Sequence, residues 1–371
     1  MAAHEIRIDR SKALADEPGT GHNRWHPDIR PILTIEPGDE VLIEARDGCD
    51  ACISRDSTGD YLLGLDLNLV HPLTGPIYIK DAEPGDLLVV DILDVIPGNY
   101  GFTLCIPGFG YLRDVFDEPF CARWEQHADG AVSEEIPGVR IPGAPFMGVI
   151  GVAPSHEMLA RITARESDVS AAGGLAMPPS AKLAVTGNPA IDGEALRTIP
   201  PREHGGNFDT KQMTAGTTVY FPVWVEGALF SAGDGHFAQG SSESCGTAIE
   251  TNNTLRARFD LRKGLAAERG IRDIHYSRRD TAPVAHALDR GGYYATTGLP
   301  LEEDGTNLAE NINLSTKNAL LNMIDHLVHE RGFSRIQANV IASVGVDVTV
   351  DGIAAVPNTV VSAILPDDIF V

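Results

Sequence analysis

The sequence predicts an α+β, β-rich fold, with antiparallel β-sandwich or barrel elements and a few helices packed on the sheets. Three observations carry that prediction. Gly (38) and Pro (24) are frequent enough in 371 residues to cut the chain into short strands and turns. A turn-plus-strand unit, Glu-Pro-Gly-Asp followed by an apolar run, occurs at residues 36–45 and again at 83–93. Residues 254–262 alternate strictly, with Leu255, Ala257, Phe259 and Leu261 on one face and Arg256, Arg258, Asp260 and Arg262 on the other.

Each element follows from its local chemistry. In both Pro-Gly units Pro fixes φ, Gly accepts a positive φ, and the residues after them enter a strand. The second strand is more continuously apolar and is expected deeper in the core. Residues 98–145, rich in Gly, Pro and aromatics, read as irregular, and 147–154 as a short buried strand. The low-charge Gly/Ala/Pro/Ser stretch 171–202 reads as a surface excursion, dividing a β-rich half 1–170 from a second half 203–371, the two packed as one unit. Residues 214–232 return to strand character, most clearly at 217–225. The one convincing helix spans 315–331, with Ser315 as N-cap, Gly332 as terminator, and Ala319, Leu320, Met323, Ile324, Leu327 and Val328 as its buried stripe. Residues 338–350 and 356–365 read as two closing strands.

Composition excludes several function classes. There are 29 Lys and Arg against 52 Asp and Glu, a net charge of −23 that repels phosphate backbones and anionic lipid. No nucleic-acid or membrane partner is therefore expected. No apolar run is long enough to span a bilayer, and the charged N-terminus lacks the apolar core of a secretory signal. The five scattered cysteines read as reduced thiols, so the expected address is cytoplasmic.

The densest polar cluster lies between 201 and 250. It offers Glu203, His204, Asn207, Asp209, Asp234, His236, Gln239, Glu243, Cys245 and Glu250. Asp234 and His236, two apart, share one side of an extended chain. Gly233, Gly235 and Gly240 let backbone approach a small substrate. The pattern is read as a polar loop framed by apolar strands. Asp209 reads equally as a turn cap, and Glu243 and Glu250 equally as solvated carboxylates. Further donors are His22, His26 and His71. Cys49-x-x-Cys52 has no second Cys or His pair to close a zinc site. There is no P-loop, nucleophile elbow or dinucleotide fingerprint.

The blocks HNRWHPDI (22–29), VHPLTGPI (70–77), PPREHGGNFD (200–209) and YFPVWVEGALFSAGDGHFAQGSSES (220–244) resemble the acetamidase/formamidase family, and the likeness runs to SAILPDDIF at the C-terminus. Gln239-Gly240-Ser241-Ser242-Glu243 keeps the family's Glu but differs in the loop before it. The resemblance implies hydrolysis of a short amide to a carboxylic acid and ammonia, a divalent metal with zinc foremost, a β-rich fold and a homo-oligomer. Such chemistry needs an activated water and an electrophile. The expected metal ligands are His71, Asp209 and His236, with Asp234 as a further ligand or orienter. Glu203 and Glu243 compete for the proton-transfer role, Glu243 preferred, and Asn207 and His204 are expected to donate to the tetrahedral oxyanion. Two other classes stay open: a thiol amidase using Cys245 with Lys211 nearby, and a non-catalytic binding subunit.

Overall fold

The computed structural model describes residues 2–280, 291–354 and 356–371. The two Glu-Pro-Gly-Asp turns are built alike. Gly38 and Gly85 take φ values of +95° and +94°, and the Asp39 and Asp86 side chains accept the amide N–H groups of Glu36 (3.1 Å) and Glu83 (2.8 Å). Each turn launches its strand, Glu40–Glu44 and Leu87–Pro97. Both strands pair antiparallel with Asn253–Arg262, one on either side. The alternating stretch is thus a central strand: Leu255, Ala257 and Phe259 are buried and Arg256 is exposed. Leu87–Pro97 lies between Asn253–Arg262 and Thr217–Pro222, deeper than Glu40–Glu44, as expected.

This six-stranded sheet packs face to face on a larger one, described with eleven strands, whose buried member is Phe230–Ala238. Val41, Ile43, Val90 and Phe259 of the first sheet meet Ile77, Met147, Ile150 and Phe230 of the second in one apolar layer. In each of these two sheets, strands from the first 151 residues interleave with strands from residues 205–278.

Four readings are corrected. Residues 98–145 contain strands Tyr100–Cys105, Phe120–His127, Gly130–Val132 and Arg140–Ile141. Trp124, fully buried, anchors them by donating its indole N–H to Thr103 at 2.9 Å. Helix α1 (His156–Ala171) was not foreseen; Ser155 caps it through the Met158 N–H, and Met158, Leu159 and Ile162 pin it down. A short helix α2 spans Leu265–Arg269. The expected helix is α3 (Ile312–Arg331), ended by Gly332 in the left-handed region as foreseen. Its cap is Asn311, which accepts from Leu314, and Ser315 lies inside, bonded to Thr359.

The first part of 338–350 is helical, not extended. Helix α4 (Arg335–Gly345) starts in a reciprocal capping box between Ser334 and Gln337. Strands Asp347–Gly352 and Val360–Pro366 follow and pair with each other, and Val360–Pro366 pairs on its other side with Tyr293–Gly298. The stretch 171–202 is tied down: Leu196–Arg197 pairs with Arg24–Trp25, and the Arg24 guanidinium donates to the Ser180 and Lys182 carbonyls. Among the described residues no helix is long and apolar enough to cross a membrane.

Candidate active site

Asp234 and His236 sit on the strand Phe230–Ala238 itself, not on a loop, and every residue of that strand is buried. The apolar and small residues around them keep the strand in the sheet, and the two-residue spacing sends both side chains to one face. On one flank His236 faces Phe146, and on the other it faces Glu250 in register. Strand Phe146–Gly151 also pairs with Gly205–Asn207, and the Gly148 carbonyl accepts the Asp209 N–H at 3.3 Å. His71 precedes strand Leu73–Ile79, the other neighbour of Phe230–Ala238, and donates its N–H to Thr198 at 2.5 Å.

These elements bring a cluster together. His236 Nε2 lies 3.3 Å from Glu250 Oε1, 3.5 Å from Asp234 Oδ2 and 4.0 Å from Asp209 Oδ1. His71 Nε2 is 3.8 Å from Asp234 Oδ2. The ligand atoms of Asp209, His236 and Glu243 fall within 4.8 Å of one another, as do those of Asp234, His236 and Glu250. Gln239 orients the histidine: its Oε1 accepts from His236 Nδ1 at 2.9 Å while its amide donates to the Asp209 carbonyl. Asp209, Asp234 and Glu243 take left-handed φ values of +45°, +56° and +46°. Each costs about 1–3 kcal/mol and is held by the surrounding structure, as backbone at functional sites often is.

Glycines make the room. A Cβ on Gly148 would lie 2.7 Å from Asp209 Oδ1 and from His236 Cε1, and 2.8 Å from Asp234 Oδ2. One on Gly48 would lie 2.2 Å from Asp234 Oδ1.

The electrostatics are lopsided: four carboxylates share a buried space with two histidines. Burial opposes the Asp234 charge, yet His71 and His236 hold it below the usual carboxylate range. Burial pushes Asp209 up to about 7 and Glu250 up to about 8. Burial, with Asp209 beside it, drives Glu243 well above its ordinary value. His236 Nε2, Asp209 Oδ1 and Glu250 Oε2 are buried without a hydrogen-bond partner. Excess negative charge, open lone pairs and a mixed His/carboxylate donor set suit a divalent cation.

Beside the cluster lies a cavity of about 50 Å³, reached by His71, Asn207, Asp234, Glu243 and Glu250 and walled by Leu65, Leu104, Ile106 and Phe109. Of the residues singled out from sequence, His71, Asn207, Asp209, Asp234, His236 and Glu243 converge here. Two do not. Glu203 is gripped bidentately by Arg165 at 2.6 and 2.7 Å and faces a different groove, with Arg161. His204 is wholly buried, its Nδ1 paired with the Val152 carbonyl and its ring edge-on to Trp25. Neither lines the cavity.

Cys245 is buried with its Sγ directed at the Thr247 carbonyl, and Lys211 pairs with Asp347. Glu250, one donor of the 201–250 cluster, enters the site only because strand pairing sets it against His236. Gly48 and Cys49 bring the CxxC segment to the cavity wall, which no spacing rule reveals.

Known proteins resemble this chain along nearly its whole length. The Acetamidase/Formamidase family profile matches residues 7–371. A formamidase of Methylophilus methylotrophus is 34% identical over 98% of this chain and 93% of its own. An acetamidase of Mycolicibacterium smegmatis is 38% identical over 69% of this chain and 70% of its own. Among solved structures, the γ-lactamase from Delftia acidovorans superimposes with a TM-score of 0.93 at 34% identity, covering 99% of this chain and 93% of that one.

Proposed function

The chain belongs to the acetamidase/formamidase family of amidohydrolases, and from that premise we propose that it hydrolyses a short aliphatic amide, formamide or acetamide, to the carboxylic acid and ammonia at a metal-assisted site. The observation that carries the proposal is the meeting of two histidines and four carboxylates, several of their atoms unpartnered, at the edge of a small apolar-walled cavity. His71, Asp209, Asp234 and His236 would hold a divalent ion, zinc foremost, with Glu250 beside them. When bound, such an ion supplies an electrophile for the amide carbonyl and brings the pKa of water to about 7.

The chain's own groups do the rest. Gln239 fixes the His236 ring so that Nε2 faces the carboxylates. Glu243, whose buried carboxyl holds its proton more tightly than usual, exchanges a proton between the attacking water and the departing nitrogen. The Asn207 amide, on the cavity wall, would donate to the carbonyl oxygen as it gains charge. Leu104, Ile106 and Phe109 exclude bulk water and leave space for a small acyl group. The position of the Cys245 sulfur, turned to Thr247, favours water over a thiol as nucleophile.

A second reading, opening of a five-membered lactam, is favoured by the superposition on the Delftia γ-lactamase. The test is a panel: ammonia release from formamide, acetamide and propionamide, ring opening of 2-pyrrolidinone, and cleavage of a peptide amide. Turnover of the short linear amides supports the first reading, and turnover of the lactam alone replaces it with the second. Cleavage of the peptide with no activity on any small amide overturns both. The proposal extends to a homo-oligomer, supported by Tyr293, Tyr294 and Val350, which stand exposed on the three-stranded sheet. A monomeric mass by light scattering at micromolar concentration counts against that part.

A further inference from the structure

The HNRWHPDI block contains a histidine that the amidase cluster leaves unused. His26 follows strand Arg24–Trp25, and its side chain is fully buried. Its Nε2 faces Glu194 Oε1 at 3.1 Å, and its Nδ1 accepts the Asp28 backbone N–H at 3.1 Å. The ring is therefore fixed with its proton on Nε2 and its lone pair on Nδ1. A carboxylate behind the far nitrogen is the arrangement that orients metal-ligating histidines.

In front of that lone pair stand two more donors. Asp28 Oδ2 is 3.8 Å from His26 Nδ1, and Asp28 Oδ1 is 3.2 Å from His156 Nε2. The two imidazoles meet edge-on with centroids 5.4 Å apart. One ligand atom from each of His26, Asp28 and His156 falls within 4.8 Å of the others.

We propose that His26, Asp28 and His156 form a surface site for a borderline transition-metal ion, Zn²⁺ in particular, that staples the loop after Arg24–Trp25 to the start of α1. Two imidazoles and one carboxylate match the preference of zinc for nitrogen and oxygen donors, and the exposure of Asp28 and His156 leaves further positions to water. Coordination exchanges the Asp28 N–H bond at Nδ1 for a bond to the metal. His156 is the first residue of α1, an unfavourable place for a bare cation, and the Asp28 carboxylate offsets that cost. The staple joins positions distant in sequence. Through Glu194 it also braces the stretch that goes on to Thr198, the partner of the His71 N–H, and Ile199, on the cavity wall.

The experiment compares wild type with Asp28→Asn/His156→Gln, both equilibrated with micromolar Zn²⁺. Zinc per chain is measured by mass spectrometry of the element, and Tm is measured with and without added zinc. Wild type should hold one equivalent more than the double variant, and zinc at about a hundredfold excess over its Kd should raise the wild-type Tm by about 3 °C more. Because the difference between variants is read, the result is independent of what the buried cluster binds. Both substituted side chains are exposed; should the double variant fail to fold, His156→Gln alone, expected to lose most of that equivalent, decides. Equal zinc content and equal Tm shifts in variant and wild type overturn the proposal.

Discussion

His236 and Glu250 face each other in register on adjacent antiparallel strands, with Nε2 of one 3.3 Å from Oε1 of the other. Strand pairing builds most of the cluster: Asp234 shares the strand of His236, while Asp209 and His71 arrive on segments next to other strands of the same sheet. A site carried on paired strands is held rigidly, and the loss of one side chain is expected to leave the fold in place.

His236→Ala should therefore lower kcat by about 10³-fold or more, since each ~1.4 kcal/mol of lost transition-state stabilisation is tenfold in rate. Its far-ultraviolet spectrum should stay close to wild type. Amide-hydrolysis assays and circular dichroism check the two halves of this prediction together.

Glu243→Gln should lose proton transfer, about 10²–10⁴-fold in kcat, with KM little changed. Metal content measured on the same sample should match wild type. A variant that loses its metal instead would make Glu243 a ligand.

Glu203→Gln should leave kcat within a few-fold of wild type, because Arg165 holds that carboxylate away from the cavity. The ion pair with Arg165 depresses the Glu203 carboxyl to about 2. A depressed folded-state pKa stabilises the fold above the unfolded value, about 4.5, and that stabilisation fades as pH falls toward 2. The Tm deficit of the variant should thus be present at pH 7, worth about 1 kcal/mol or less for a partly exposed pair, and shrink by pH 3.

Gly148→Ala places a methyl carbon 2.7–2.8 Å from Asp209, His236 and Asp234. Those atoms must shift, and overpacking of this kind costs about 1–3 kcal/mol. A lower Tm, weakened metal binding and at least a tenfold lower kcat/KM are expected together.

Much of the scaffold is legible in the sequence because one face of each such element is wet. Alternation at 255–262 and the stripe of α3 both record a boundary between core and solvent. Helix α4 leaves no such record: Ala338, Val340, Ile341, Ala342 and Val344 are all buried along with Asn339 and Ser343, so its β-branched run passes for a strand. Only the Ser334/Gln337 capping box betrays it. Helix α1 is hidden for the opposite reason, having just Met158, Leu159 and Ile162 buried in sixteen residues.

At the site, donor types were readable while partners were not. Glu203 and His204 belong to the same polar block as Asn207 and Asp209, yet Arg165 and the Val152 carbonyl claim them. Glu250 becomes a site residue solely through its strand partner.

Chelation tests the central claim most directly. Formamide or acetamide turnover is followed while bound divalent metal is removed and then restored, with metal per chain measured at each stage. The account predicts that activity falls with metal content, returns on adding zinc, and never returns in His236→Ala, while the far-ultraviolet spectrum is unchanged throughout. Full activity in excess chelator, from protein shown to contain no divalent metal, would contradict it.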